Sequence, residues 1–279
     1  MLDQRGSPLR EFFESRLPNC KTMQNSWRMS GEPLIVPVES VAWGLVGAAF
    51  DYRVRYFFTV TPPERMAASH GAGQDIRASF LNLAEALTAF TTENQPCGIL
   101  LPLEAEMQLA RYCYILAMYE SLFRAKVVNS PLFALRPNAS ADEQLALAPT
   151  ADIEDLVALS SAAEAAWGHL FMKAMIANPT FTGSSDVGGA DADLIIDNCL
   201  IDIKTTTNKS LDRTTAYQLV GYLLLDYDDE YKIGQLGFYL SRIPALMVWS
   251  AEETIAAMSN GLETVGSLRN SLRRFLAEM

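Results

Sequence analysis

Histidine is nearly missing from this chain of 279 residues, and cysteine is never clustered. His70 and His169 are the only histidines, so a Ser-His-Asp site would have to use one of them. No Gly-x-Ser-x-Gly elbow accompanies either. The four cysteines (Cys20, Cys97, Cys113 and Cys199) contain no Cys-x-x-Cys pair, which argues against a zinc ribbon. Buried, reduced thiols are the ordinary expectation for such scattered residues. A Walker A motif is absent, so ATP hydrolysis by this chain alone is not expected. No apolar run of about 18 residues exists, and a membrane span is not expected. Residues 34–50 come nearest, but Pro37, Glu39 and Ser40 interrupt them. The first residues, Met-Leu-Asp-Gln-Arg-Gly-Ser, lack a charged-then-apolar signal pattern, and a cytoplasmic location is expected. Basic residues are scarce: 22 Lys and Arg stand against 33 Asp and Glu, a net charge of −11. That balance argues against coating nucleic acid by electrostatics alone.

Apolar residues, by contrast, are plentiful at 49%, enough for one large or two modest cores. The periodicity predicts an α+β chain in three parts. Residues 1–150 form an N-terminal helical region with helices over 38–59, 74–92 and 103–127. Residues 128–151, with Pro131, Pro137 and Pro149, read as a connector. A core over 151–250 follows, and residues 251–279 read as a closing helix weakened by Gly261 and Gly266. The acidic excess is local. Residues 1–130 hold 12 basic and 13 acidic side chains, whereas 131–279 hold 10 and 20.

The densest signal lies at 190–204, Ala-Asp-Ala-Asp-Leu-Ile-Ile-Asp-Asn-Cys-Leu-Ile-Asp-Ile-Lys. A polar dipeptide between two apolar runs predicts a tight hairpin turning at Asp197-Asn198. Asp197 suits the turn because aspartate tolerates the left-handed conformation. In that register Ile196 faces Cys199, Ile195 faces Leu200, and Asp193 faces Asp202. Lys204 then projects from the same face as Asp202, with Asp191 opposite it. Two carboxylates that close are unfavourable without a cation between them. Mg²⁺ is commonly held by one or two carboxylates plus water and substrate phosphates, so Asp193 and Asp202 are candidate ligands. Residues 212–226 then predict a helix, on which Gln218 and Tyr222 are neighbours one turn apart.

Asp193, Asp202-Ile203-Lys204 and Gln218-x-x-x-Tyr222, in this order, resemble the PD-(D/E)xK nuclease superfamily, in particular its RecB-like branch. The resemblance covers about residues 150–250. It implies a restriction-endonuclease-like core, a central mixed sheet flanked by helices. Helix 152–177, a strand at Phe181–Val187, the hairpin over 190–206, the Gln-Tyr helix, a strand at Ile233–Leu240 and an edge strand at Leu246–Trp249 would supply it. The family's leading proline is replaced here by Ala192. The resemblance also implies Mg²⁺ or Mn²⁺ held by Asp193, Asp202 and the Ile203 carbonyl. Glu164, on the preceding helix, matches an additional acidic ligand, with His169 the alternative. Lys204 would stabilise developing charge, Gln218 would position phosphate or water, and Tyr222 would stack or hydrogen-bond near the scissile strand. Some members carry an iron–sulfur cluster on four cysteines, but the spacing here does not suit one.

The implied activity is metal-dependent cleavage of DNA, with phage defence as the implied setting. Lys209, Arg213, Arg53 and Arg55 are candidate contacts to the DNA backbone. Two alternatives stand beside this one. The chain could be a nuclease-fold subunit that cuts only with a protein partner, such as a neighbouring gene product or a second copy of itself. It could also be a non-catalytic interaction module.

Overall fold

The computed structural model describes residues 2, 4, 6–28, 34–125, 127, 129–170, 173–208 and 210–279. Lys209 lies outside the described residues. In chain order the helices and strands are α1 (Pro8–Arg16), α2 (Lys21–Arg28), α3 (Trp43–Phe58), α4 (Ala68–Gly71), α5 (Arg77–Asn94), α6 (Leu103–Arg124), α7 (Ala141–Leu145), α8 (Thr150–Trp167), β1 (Met175–Ala177), β2 (Leu194–Ile196), β3 (Cys199–Lys204), α9 (Arg213–Leu225), β4 (Gln235–Leu240), β5 (Ala245–Ser250), α10 (Ala251–Met258) and α11 (Val265–Ala277). The chain is α+β, with helices flanking a five-stranded mixed sheet. It divides into two compact units: Ile35–Met172, and Met1–Leu34 joined with Lys173–Met279. This division differs from the expected boundaries at 150 and 250. Helix α8 belongs to the first unit, and the N-terminal helices α1 and α2 belong to the second.

The helical unit is built on α3, α6 and α8, which pack against one another. Two arginines on α3 fall inside this packing, which corrects their expected place over DNA phosphates. Arg53 is fully buried. Its Nε donates to Glu106 Oε1 at 2.6 Å, and its terminal nitrogen to Glu106 Oε2 at 3.0 Å and to the Ile99 carbonyl at 3.2 Å. Its guanidinium also lies 3.6 Å from the centre of the Phe57 ring. Arg55 is buried as well and pairs with Asp51 one turn away. A guanidinium that far from water is stable only when held by a carboxylate and carbonyls. Neither arginine can reach a phosphate without breaking its ion pair.

In the other unit the strands lie in the order β1-β2-β3-β4-β5. All neighbours are antiparallel except β3 and β4, which are parallel and joined through α9. A parallel pair requires such a crossover. The hairpin register agrees with the expected one: Ile196 pairs with Cys199, Ile195 with Leu200 and Leu194 with Ile201. Asp197 takes the left-handed conformation at φ 54°, and Lys173 holds its carboxylate at 2.9 Å.

Elsewhere the structure differs from expectation. The first strand is Met175–Ala177, within the span read as a helix over 152–177, because α8 stops at Trp167 and turns at Gly168–Leu170. Residues 181–187 form no strand, and Ser184–Val187 is a short 3-10 turn. The Ser184 hydroxyl accepts the Phe181 amide at 2.8 Å and donates to the Ala190 carbonyl at 2.6 Å, closing a loop. Side-chain bonds of this kind compete with a strand ladder. The closing helix is two helices, parted at Asn260-Gly261, where φ is 56° and 81°. Cys97 is exposed, whereas Cys20, Cys113 and Cys199 are buried, and all four are free.

Helices α1 and α2 secure α9 on the sheet. Leu9, Phe13, Leu17, Met23 and Trp27 are buried in one cluster with Tyr217, Leu219, Val220 and Leu223 of α9 and Leu236 and Phe238 of β4. Phe13 stacks on Tyr217 with ring centres 5.4 Å apart, and the Tyr217 hydroxyl donates to the Leu17 carbonyl at 3.0 Å. Gln24 and Trp27 donate to the Leu211 and Asn208 carbonyls at 3.1 and 3.0 Å, holding the segment between β3 and α9.

Removing one partner of a buried ion pair strands the other charge and costs about 3–5 kcal/mol, whereas apolar replacement of both is close to neutral. Glu106→Ala should therefore lower stability by roughly that amount in urea unfolding. The double substitution Arg53→Met with Glu106→Leu should lose much less. Equal losses would show that the pair matters through packing alone.

Candidate active site

Asp202 is the third residue from the end of the hairpin's second strand, on the face that α9 covers. Its register partner on β4 is Phe238, and Trp27 and Trp249 both meet the Phe238 ring edge-on, at 5.5 and 6.2 Å between centres. This apolar floor leaves Asp202 only 3% exposed. Lys204, two residues on and therefore on the same face, places Nζ 2.8 Å from Asp202 Oδ2. The contact is an ion pair but not an aligned hydrogen bond, and Oδ2 has no hydrogen-bond partner among the described residues.

From Lys204 a chain of contacts crosses to α9. Lys204 Nζ donates to Gln218 Oε1 at 3.2 Å, and Gln218 Nε2 donates to the Tyr222 hydroxyl at 2.8 Å. Gln218 and Tyr222 sit at the border of the stripe formed by Leu219, Val220, Leu223 and Leu224, all fully buried. The i,i+4 spacing puts their side chains within reach of each other. Phe181 stacks against the Tyr222 ring, with centres 6.1 Å apart and planes at 24°. The residue-by-residue reading of the sequence missed Phe181, because it assigned that residue to a strand.

Asp193 leaves the ladder one residue beyond the last regular pair, Leu194–Ile201. Its backbone carbonyl accepts the Asn178 amide at 3.0 Å, and its Oδ2 accepts the Ile203 amide at 2.6 Å. The carboxylate thus bonds to the backbone between Asp202 and Lys204 instead of simply opposing Asp202. Asp191 forms an isolated bridge with Thr180. Glu164 is half-buried near the end of α8, and His169 is exposed in the turn after it. Both belong to the helical unit, so the constellation built by the sheet unit contains neither. Arg213 is exposed at the first position of α9.

The electrostatics follow from this geometry. Burial pushes the Asp202 carboxyl above the usual carboxylate range, and the nearby Lys204 ammonium only partly offsets it. Burial would lower the Lys204 pKa, but the carboxylates of Asp202 and Asp193 override it, so the net shift is upward. Burial chiefly, with Asp202, Asp193 and Asp191 adding to it, raises the Tyr222 hydroxyl. Burial is the largest cause at Asp202 and Tyr222, whereas at Lys204 the neighbouring carboxylates prevail over it. Asp202 Oδ2, without a hydrogen-bond partner, and the Asp193 carboxylate, bonded to the amide of the residue after Asp202, are oxygen donors of the kind a divalent cation takes. The set is small: among the described residues no three His, Cys, Asp or Glu side chains form a metal-binding group. Mg²⁺ accepts so few protein ligands because it retains water and binds substrate phosphates.

No family model matches the chain, and no curated protein or solved structure matches it either.

The raised Asp202 pKa has a signed consequence. In the metal-free protein the folded state binds more protons than the unfolded state, from about pH 4 up to the raised value. Stability should fall as pH rises through that window. Asp202→Asn should flatten that fall, so the melting temperature of the variant should change less between about pH 4 and about pH 8 than that of wild type. An equal change in both proteins would mean that Asp202 is not its source.

Proposed function

We propose that this chain is a Mg²⁺- or Mn²⁺-dependent nuclease that hydrolyses DNA phosphodiester bonds. The observation that carries this reading is the continuous line from Asp202 through Lys204 and Gln218 to Tyr222, with Asp193 bonded to the backbone at Ile203. Five residues, from the bend before β2, from β3 and from α9, meet at one polar edge of an apolar core. A restriction-endonuclease-like arrangement would place them in the same way: a hairpin that supplies two carboxylates and a lysine, and a crossover helix that supplies the glutamine and tyrosine.

In this reading Asp193 and Asp202 hold the cation, with the Ile203 carbonyl as a further oxygen. The bound metal supplies Lewis-acid stabilisation of the phosphate and makes an attacking water more basic. Lys204 keeps a full positive charge beside the site because Asp202 holds it protonated. A fixed cation aimed at charge that develops on phosphate is worth about 10²–10³ in rate. Gln218 orients Lys204 and Tyr222, and the apolar floor under Asp202 strengthens every charge interaction above it.

The charge distribution favours one variation. Residues 131–279 carry 20 acidic side chains against 10 basic ones, and Arg53 and Arg55 are committed inside the helical unit. Cations for the DNA backbone would then come from a protein partner or from a second copy of the chain, and cutting would require the complex. Phage defence is a fitting role for such an enzyme.

The direct experiment incubates purified protein with linear and supercoiled DNA in Mg²⁺ or Mn²⁺. Wild type should cut, and Asp202→Ala and Lys204→Ala should each cut at least about 100-fold more slowly. Intact DNA with wild type in both metals, alone and with neighbouring gene products added, would refute the nuclease reading.

A further inference from the structure

Hydrogen-bond direction in the relay can be worked out from chemistry. A lysine ammonium has donors and no lone pair to offer. The Gln218 atom that faces it must therefore be the carbonyl oxygen, which settles the orientation of the side-chain amide. The other end of that amide, Nε2, can only donate, and it donates to Tyr222 at 2.8 Å. One lone pair of the tyrosine oxygen is thereby used, and the hydroxyl proton must point away from Gln218. Among the described residues no group accepts that proton. The ring cannot swing freely to find one, because Phe181 stacks against it.

We propose that Gln218 acts as a polarity setter: by accepting from Lys204 and donating to Tyr222, it commits the Tyr222 hydroxyl to donate to a phosphoryl oxygen of the substrate. Lys204 and Tyr222 are then held at opposite ends of one carboxamide. Hydrogen bonds to charged oxygens are about twice as strong as neutral ones, so the arrangement favours an anionic ligand. The inference rests on the nuclease reading for the identity of the substrate, but not for the direction of the bonds. Phe181 and Gln218 are positioning residues here, and Tyr222 is the group that touches phosphate.

The test measures binding of thymidine 5′-monophosphate, which has no diester bond to cut, in the presence of Mg²⁺ by calorimetry, with thermal melts to verify folding. Tyr222→Phe removes one oxygen and should weaken binding about tenfold. Gln218→Met is uncharged and similar in length, and it releases the hydroxyl from its fixed direction. It should cost several-fold on its own but less than about threefold in the Tyr222→Phe background, because the two act through one proton. Wild-type affinity in Tyr222→Phe, effects that multiply fully in the double variant, or no binding by wild type would each overturn the proposal. Should Gln218→Met fail to fold, Tyr222→Phe decides alone. The two readings separate cleanly. Non-additive binding in a protein that leaves DNA intact keeps the relay and removes the nuclease, while DNA cleavage with fully multiplicative effects removes only the relay.

Discussion

The reverse turn at Asp197 and Asn198 is the constraint on which the candidate site depends. Side chains in a strand alternate faces, so a slip of one residue would carry Asp202 and Lys204 to the opposite side of the sheet. The turn prevents that slip in two ways. Asp197 adopts a left-handed conformation that few residues tolerate, and Lys173 fixes its carboxylate. The apolar pairs Ile195–Leu200 and Leu194–Ile201 then lock the register by burial. The positions of Asp202 and Lys204 descend from that one turn.

Two buried cations show how differently the same chemistry can be used. Arg53 has its charge cancelled by Glu106, and a carbonyl and an aromatic face take up more of its surface. It contributes to a folded core and can do little else. Lys204 is also drawn into an apolar setting, but its side chain keeps a quarter of its surface exposed. Its carboxylate partner retains an oxygen with no hydrogen bond. Burial raises the proton affinity of that carboxylate. The stability given up at Asp202 is the kind of local inconsistency that functional sites carry.

Placement of α9 is the second requirement. Only the crossover helix brings Gln218 over Lys204, and a helix is held on a sheet by its apolar stripe and by whatever covers its outer side. Phe13, Leu17 and the Tyr217 hydroxyl supply that cover, and Gln24 and Trp27 grip the segment leading into the helix. The first 28 residues are thus part of the scaffold of the site. Their spacing, Leu9, Phe13, Leu17, Cys20, Met23 and Trp27, in steps of three and four, is the amphipathic pattern of helical segments.

Local chemistry in the sequence was enough to determine the turn, the hairpin register and the shared face of Asp202 and Lys204, because a period of two and a left-handed turn residue are properties of a few adjacent residues. The same holds for the Gln218–Tyr222 pairing, which needs only helical spacing. Tertiary structure alone decided the rest. Residues 181–187 closed into a loop because Ser184 satisfied backbone groups that a strand would have used, which brought Phe181 to Tyr222. Arg53 and Arg55 turned inward because carboxylates on their own and a neighbouring helix were waiting for them. Asp193 turned to the Ile203 amide because its strand left the ladder there. Each of these depends on partners distant in sequence or on which backbone groups are left unpaired, and neither can be read from the spacing of residues along the chain.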